Sequence, residues 1–279
     1  MVWLTNPLQF EFMCNALIIG VLMSILCGVV GSYLVVEHMS LMGNVISHSV
    51  LPGLSIAFFF DINLSFGAFI AGTLSALVVA WIRTQSRLNV DTAMALVLSS
   101  FLALGVLLIH LLRTNRIDLN QLLFGDILGV VRGDIWQVLI ITLAILAIVT
   151  LFYPEILYYT FDPLGAQASG LPVNWIYFGF IAAVTLTIIA SMQTVGVLLV
   201  ISLLVGPAST AYLLVKELHF MMGLAAVIGI LGNVTGMYLS YYLDLPSGPS
   251  IVLVIFSFFL LAFFFSPSQG IFQRLFKLN

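Results

Sequence analysis

Nine long apolar runs joined by short polar connections dominate this chain and leave few folds open to it. A membrane-crossing helix needs about 17–25 predominantly apolar residues. Windows near 12–36, 44–60, 64–83, 92–112, 134–153, 174–191, 193–215, 220–242 and 247–266 meet that length. Of the 279 residues, 62% are hydrophobic and 7% charged, and the mean hydropathy is +1.22. A soluble protein of this size could not hide so much apolar surface. The expected fold class is therefore all-α: a polytopic integral membrane protein of nine spans, with eight as the alternative count.

The second window is the weakest. Asn44, Ser47, His48, Ser49 and the Pro52-Gly53 pair lower its hydropathy, so it needs shielding by neighbouring helices. On a helix Asn44 and His48 are four positions apart and share a face. Pro52 cannot donate to the His48 carbonyl and crowds it. The stretch from Glu37 to Gly53 thus sets polar, potentially metal-binding groups between two apolar spans, where such groups are costly and point to function.

Orientation follows from the few basic residues. Placing Arg83, Arg87, Lys216, Arg274 and Lys277 inside leaves Arg113, Arg116 and Arg132 outside, which favours an outer N-terminus and an inner C-terminus. The first span lacks the basic start and cleavage site of a signal peptide and is expected to be retained. Cys14 and Cys27 lie in that span and make neither a disulfide framework nor a zinc site. The net charge of −3 gives no basic footprint for nucleic acid. The longest connections, near 113–133 and 154–173, leave no room for a soluble catalytic domain. No Gly-x-x-x-x-Gly-Lys-Ser/Thr phosphate loop is present, so ATP hydrolysis by that machinery is not expected of this chain.

Small residues recur at packing distances: Gly20, Ser24 and Gly28 in the first span, Gly67, Ala71 and Ser75 in the third, Gly229 and Asn233 in the eighth. They permit close helix contact. Between spans five and six, Asp162 fits an N-cap, Pro163 the first helical position and Gly170 a C-terminal stop, which describes a short helix near 162–171. In the seventh span Pro207 removes a helix hydrogen bond and frees the Leu203 carbonyl.

Three segments taken together, Met39–Gly53, Phe161–Leu171 and Val195–Ala211, make the chain resemble the permease subunits of metal-ion ABC importers, the manganese, zinc and iron group. The likeness runs from about residue 12 to residue 266. It implies one transmembrane permease domain over 1–279, working as a homodimer with a cytosolic ABC ATPase and an extracytoplasmic metal-binding protein in the bacterial inner (plasma) membrane. No stably bound cofactor is implied; Mn2+, or Zn2+ or Fe2+, would be the transported substrate. The short helix corresponds to the family's coupling helix, so Asp162, Pro163, Ala166, Gly170 and Leu171 are expected to contact the ATPase. Pro52 and Pro207 are expected as pathway kinks. In the family's Gly-Asp-x-x-Ser-His motif the Asp and His contact the metal in transit, and those positions here are Asn44 and His48. The amide offers an oxygen without a charge, with Asp61 or the Met42 sulfur as candidate substitutes. Asp118, Asp126, Asp134 and Asp244 could form an outer mouth that attracts a cation, with His110 near the same side.

Two other classes remain. An intramembrane enzyme would need a His-Glu-x-x-His pair or a credible Ser-His or double-Asp arrangement in the spans, and the sequence lacks these. A stand-alone secondary transporter or channel would need its own ion-coupling site, and the element at 162–171 argues against it.

Overall fold

The computed structural model describes residues 6–112, 125 and 127–266. A 3-10 turn, Pro7–Gln9, leads into α1 (Glu11–Val36). The chain continues through α2 (Met42–Ser49), α3 (Leu51–Phe59), α4 (Leu64–Gln85), α5 (Val90–Leu111), α6 (Arg132–Leu151), α7 (Tyr153–Phe161) and α8 (Pro163–Ala168). The last four helices are α9 (Val173–Val195), α10 (Val197–Leu214), α11 (Leu218–Leu243) and α12 (Ser247–Phe265). Among the described residues there is no strand, and nine segments have the length and apolarity to cross a membrane, α2 and α3 together making the second.

These segments are helical because an apolar solvent offers their backbone no other partners. Their serines and threonines follow the same rule by bonding back to the preceding turn. Ser24 donates to the Gly20 carbonyl at 2.7 Å, Ser32 to Gly28 at 2.6 Å and Thr210 to Gly206 at 2.7 Å. Large side chains cover the outside, including Trp81, Trp136 and Trp175, all near span ends, where indole rings suit the interface between lipid and water.

The main core joins α1, α10 and α11 with inward residues of α4, α5 and α9. A close seam in it, between α1 and α11, is made by the small residues singled out in the sequence. A Cβ on Gly28 would stand 2.7 Å from the Ala226 backbone nitrogen, and one on Gly229 would stand 3.0 Å from the Ser24 Cβ. Gly20 leaves room for the Asn233 side chain, which is fully buried with neither amide atom hydrogen-bonded. The seam is thus as close as backbone allows.

Two connections put the start of α1 on the side of the loop that precedes α6, as the predicted parity requires. Arg132 and Glu11 pair at 2.9 Å, and the Asn15 amide donates to the Val130 carbonyl at 3.5 Å. The boundary between spans six and seven differs from expectation. The hydropathy predicts spans over 174–191 and 193–215, but α9 runs to Val195 and the chain turns at Gly196, whose φ of +83° and ψ of 157° suit glycine alone. The connection predicted as one loop with one short helix contains two, because Tyr153–Phe161 also forms a helix, α7, with no fully buried residue.

Candidate functional site

The polar motif occupies the broken second span. His38, with φ +56°, ends the reversal after α1, and the Met42 amide donates to the Met39 carbonyl at 2.8 Å as α2 begins. Val50 keeps helical angles between α2 and α3, but Pro52 supplies no N–H for the His48 carbonyl. One turn later the Ser55 hydroxyl bonds the Leu51 carbonyl at 2.9 Å. Gly105 of α5 lies against this break, where its missing Cβ would stand 3.1 Å from the Pro52 Cδ. Gly53 of α3 and Gly67 of α4 face one another so closely that a Cβ on either would meet the other's carbonyl.

Burial explains how so polar a segment survives in a membrane. It is the least apolar of the nine spans, yet 72% of its residues are enclosed by the protein, the highest share of any. Asn44 and His48 are the half-buried exceptions on α2, and they share a face as the spacing predicted. Met42, Val45 and Ile46 point into the main core. Met42 is therefore not beside His48, and Asp61 lies past the end of α3, about 20 Å from His48 by helix rise. Neither substitutes for the missing carboxylate at that point. The Ser49 hydroxyl on α2 and the Thr185 hydroxyl on α9 are buried without partners. Among the described residues no three His, Cys, Asp or Glu side chains gather into a metal cage. The arrangement offers one imidazole, one amide and a freed carbonyl, which suits passing contact rather than tight binding.

The short helix forms as its residues dictate. The Asp162 carboxylate accepts the Gly165 amide at 2.9 Å, Pro163 opens α8, and Leu171 N–H returns to the Ala166 carbonyl at 3.1 Å. Gly170 adopts φ +85°. Ala166 is buried, while Leu164 is 78% exposed and faces outward. Pro207 is buried within α10, next to Gly206, which packs on Ile255 of α12.

The outer acidic residues have local duties. Asp61 and Asp244 both take left-handed angles at helix ends, φ +55° and +53°, which short polar side chains tolerate. Asp134 accepts the Val131 amide at 3.1 Å at the start of α6, and His110 is exposed in the last turn of α5. Asp118 and Asp126, with Arg113, Arg116, Arg274 and Lys277, lie outside the described residues. A shallow concavity runs along α5 past Leu98, Leu102, Val106 and His110 and is almost wholly apolar. It is an open helix face whose polar groups are Ser99 and His110, too few to fix a ligand's orientation.

With this geometry in hand, comparison with known proteins decides the family. Residues 9–266, a stretch that takes in every described span, match the ABC 3 transport family. The chain belongs to that family. It is 42% identical over 267 residues to "Manganese transport system membrane protein MntC" of Halalkalibacterium halodurans, covering 96% of this chain and 91% of that protein. It is 38% identical over 264 residues to "Probable iron transport system membrane protein" of Haemophilus influenzae, covering 95% and 97%. Among solved structures, "PsaBC from Streptococcus pneumoniae in complex with Fab" superposes with a TM-score of 0.86 at 36% identity over 99% of both chains. This family member is a multi-pass membrane protein, which in a bacterium resides in the inner membrane.

Sequence reasoning did not single out the group at the inner end of α1. Glu37 is half-buried there, one carboxylate oxygen shut off from solvent, within the electrostatic reach of Arg83 of α4, Tyr159 of α7 and Tyr177 of α9. Burial pushes its carboxyl up, and Arg83, Thr160 and His38 moderate the rise. Burial likewise pushes the Tyr159 hydroxyl up to about 12, with the nearby Glu37 charge adding to it. The available signal was a carboxylate one residue beyond a span.

Proposed function

We propose that the chain is the permease subunit of an ABC importer for divalent metal ions, with Mn2+ as substrate. The observation that carries this reading is the family match across all nine spans, joined to relatives named for manganese transport. The permease forms one transmembrane domain and works as a homodimer, in lipid, with a cytosolic ATPase and an extracytoplasmic metal-binding protein. ATP binding by the partner shifts the population between outward-open and inward-open states. The chain itself breaks no bonds.

His48 and Asn44 make transient contacts with the ion. Their shared half-buried face and the break at Pro52 support this role. A neutral Asn beside one His holds the ion weakly, and weak sites release ions readily. The α8 element couples the permease to its ATPase through the Asp162–Leu171 segment, for which the projecting Leu164 offers an apolar contact. A second reading, Fe2+ as substrate, is favoured by the Haemophilus influenzae relative named for iron.

Uptake of manganese, zinc and iron at limiting concentration tests the proposal. Cells lacking the gene should lose manganese uptake, wild type should restore it, and His48→Ala at equal protein level should not. Loss of iron uptake alone would favour the second reading. Full restoration by His48→Ala would remove this histidine from the path.

A further inference from the structure

The ends of four helices enclose a cavity of about 380 Å³, which neither Asn44 nor His48 lines. Val36 closes α1, Thr160 lies in the last turn of α7, Tyr212 in the last turn of α10, and Leu218 opens α11. Because α1, α10 and α11 are spans, the cavity sits at the level where the spans meet water. Phe161, also on its wall, is followed directly by Asp162, the cap of α8. The cavity therefore lies at the end of the molecule that carries α8, which the docking reading makes the cytoplasmic end.

Its lining divides by chemistry. Leu218 and Met221 are buried and continue the apolar cluster formed with Tyr33, Ala208 and Ala225. Lys216, Tyr212, Thr160 and His38 supply the polar groups, and all but the half-buried Thr160 are exposed. Lysine offers three donors and no acceptor, the two hydroxyls can each donate, and an imidazole carries at least one N–H in either protonation state. No aspartate or glutamate lines the cavity, although Glu37 and Glu217 are chain neighbours of His38 and Lys216. Glu217 pairs instead with His219 at 3.3 Å. Lys216 takes part in no ion pair among the described residues. Glu217 also leaves the first turn of α11 without a side-chain cap, so the partial positive charge of that helix end adds to the lysine.

We propose that this cavity binds the phosphate headgroup of an anionic lipid from the cytoplasmic leaflet. The inference rests on the reading of α8 as the docking element. A cation beside hydroxyl donors matches phosphate oxygens, and basic pockets between spans on the cytoplasmic side suit anionic headgroups. The buried apolar floor matches the glycerol and first acyl carbons. A choline or ethanolamine headgroup would bring an ammonium for which the lining has no carboxylate. The volume lies within the range of small-ligand sites. Location decides between sources of phosphate, since a site at the boundary of lipid and water meets lipid headgroups far more often than free phosphate.

The test titrates the permease, purified with its ATPase, with dioctanoyl phosphatidylglycerol or dioctanoyl phosphatidylcholine and reads the first bound lipid by native mass spectrometry. Wild type should prefer phosphatidylglycerol about fivefold, the contribution of one lysine near anionic lipid. Lys216→Gln should abolish that preference and Lys216→Arg should keep it. Thr160→Val, which keeps the shape and removes a donor, should weaken phosphatidylglycerol binding and leave phosphatidylcholine binding unchanged. Should Lys216→Gln fail to assemble, this variant decides alone. Equal affinity for the two lipids in wild type, or an unchanged preference in Lys216→Gln, would overturn the inference; if that variant also lost the ATPase, the cavity would belong to the docking surface instead. Inorganic phosphate at the same concentration should not displace the lipid, and displacement would overturn the lipid assignment. Lys216→Cys separates this inference from the reading beneath it. A membrane-impermeant maleimide should label it, above wild type, in opened cells and not in intact ones. Labelling of intact cells would refute the docking reading and the cytoplasmic leaflet with it, whereas the lipid preference is measured on the purified complex and stands or falls by itself.

Discussion

Gly53→Ala puts the packing beside the polar motif to a quantitative test. The new Cβ would sit 2.7 Å from the Ala71 Cβ and from the Gly67 carbonyl carbon, and nearer still to the Gly67 oxygen. Ordinary contact begins at 3.4 Å, so the two carbon contacts alone require α3 and α4 to part by about 0.7 Å, and the nearer Gly67 oxygen requires more. Neither obstacle is the far end of a flexible side chain, so no rotamer change relieves the clash. Overpacking of this kind costs about 1–3 kcal/mol, and contact with backbone places it near 3. Alanine recovers about 1 kcal/mol through helix propensity. The net loss is about 2 kcal/mol, or close to 30-fold in the folding equilibrium. Gly43→Ala, in the same span, meets nothing within 4 Å and should gain up to about 1 kcal/mol. Reversible denaturant unfolding of the purified permease in lipid-detergent mixtures would compare the two. Equal stabilities, or a Gly53→Ala protein more stable than Gly43→Ala, would refute the argument that the glycine pair sets the distance between α3 and α4.

Three further outcomes are expected. Asn44→Asp adds a charge to the half-buried face that carries His48 and should tighten or reorder metal preference; unchanged competition among Mn2+, Zn2+ and Fe2+ in uptake assays would make the position structural. Gly170→Val forces a β-branched residue to φ +85° in otherwise open space, a local strain of about 1–2 kcal/mol, and should reduce uptake per ATP hydrolysed without blocking membrane insertion; normal coupling would count against the role of this turn. The raised Glu37 carboxyl has a definite sign. The folded protein holds that proton more tightly than the unfolded chain, so the associated stability is complete below the ordinary value of 4.5 and is lost as pH rises through the raised one. The Tm of Glu37→Gln relative to wild type should therefore climb as pH is raised from below 4.5 towards neutrality, and a flat or falling difference would contradict it.

The spans were legible because hydropathy over some twenty residues reports the solvent directly. The N-cap at Asp162 and the stop at Gly170 were legible because local chemistry determines them. Other features depend on packing that no short window contains. Gly196 looks like any glycine in an apolar run until the structure shows its φ of +83° and the Gly125 backbone pressed against it. Helix α7, with two prolyl or aromatic positions at its start and no buried face, carries too weak a pattern to separate it from a loop. Val36 and Thr160 line one cavity although more than a hundred residues separate them, so their meeting is a property of the bundle alone. For the candidate metal contacts, spacing correctly put Asn44 and His48 on one face, whereas the orientation of Met42 into the core required the neighbouring helices.

The broken second span is divided more deeply than one missing hydrogen bond implies. Met42, Val45 and Ile46 of α2 belong to the main core with α1 and α10. Val50, Leu51 and Leu54 belong to a separate cluster with Ala68 of α4, Ile189 and Met192 of α9, and Val197 at the start of α10. His48 stands at the join, its own carbonyl released by Pro52. Each half is rigid through its packing, and the peptide between them lacks the bond that would lock the two together. If His48 contacts the ion as proposed, its place at that join, with its own carbonyl released, gives a single imidazole rather than a fixed cage, which suits a site that must bind in one state and release in the other.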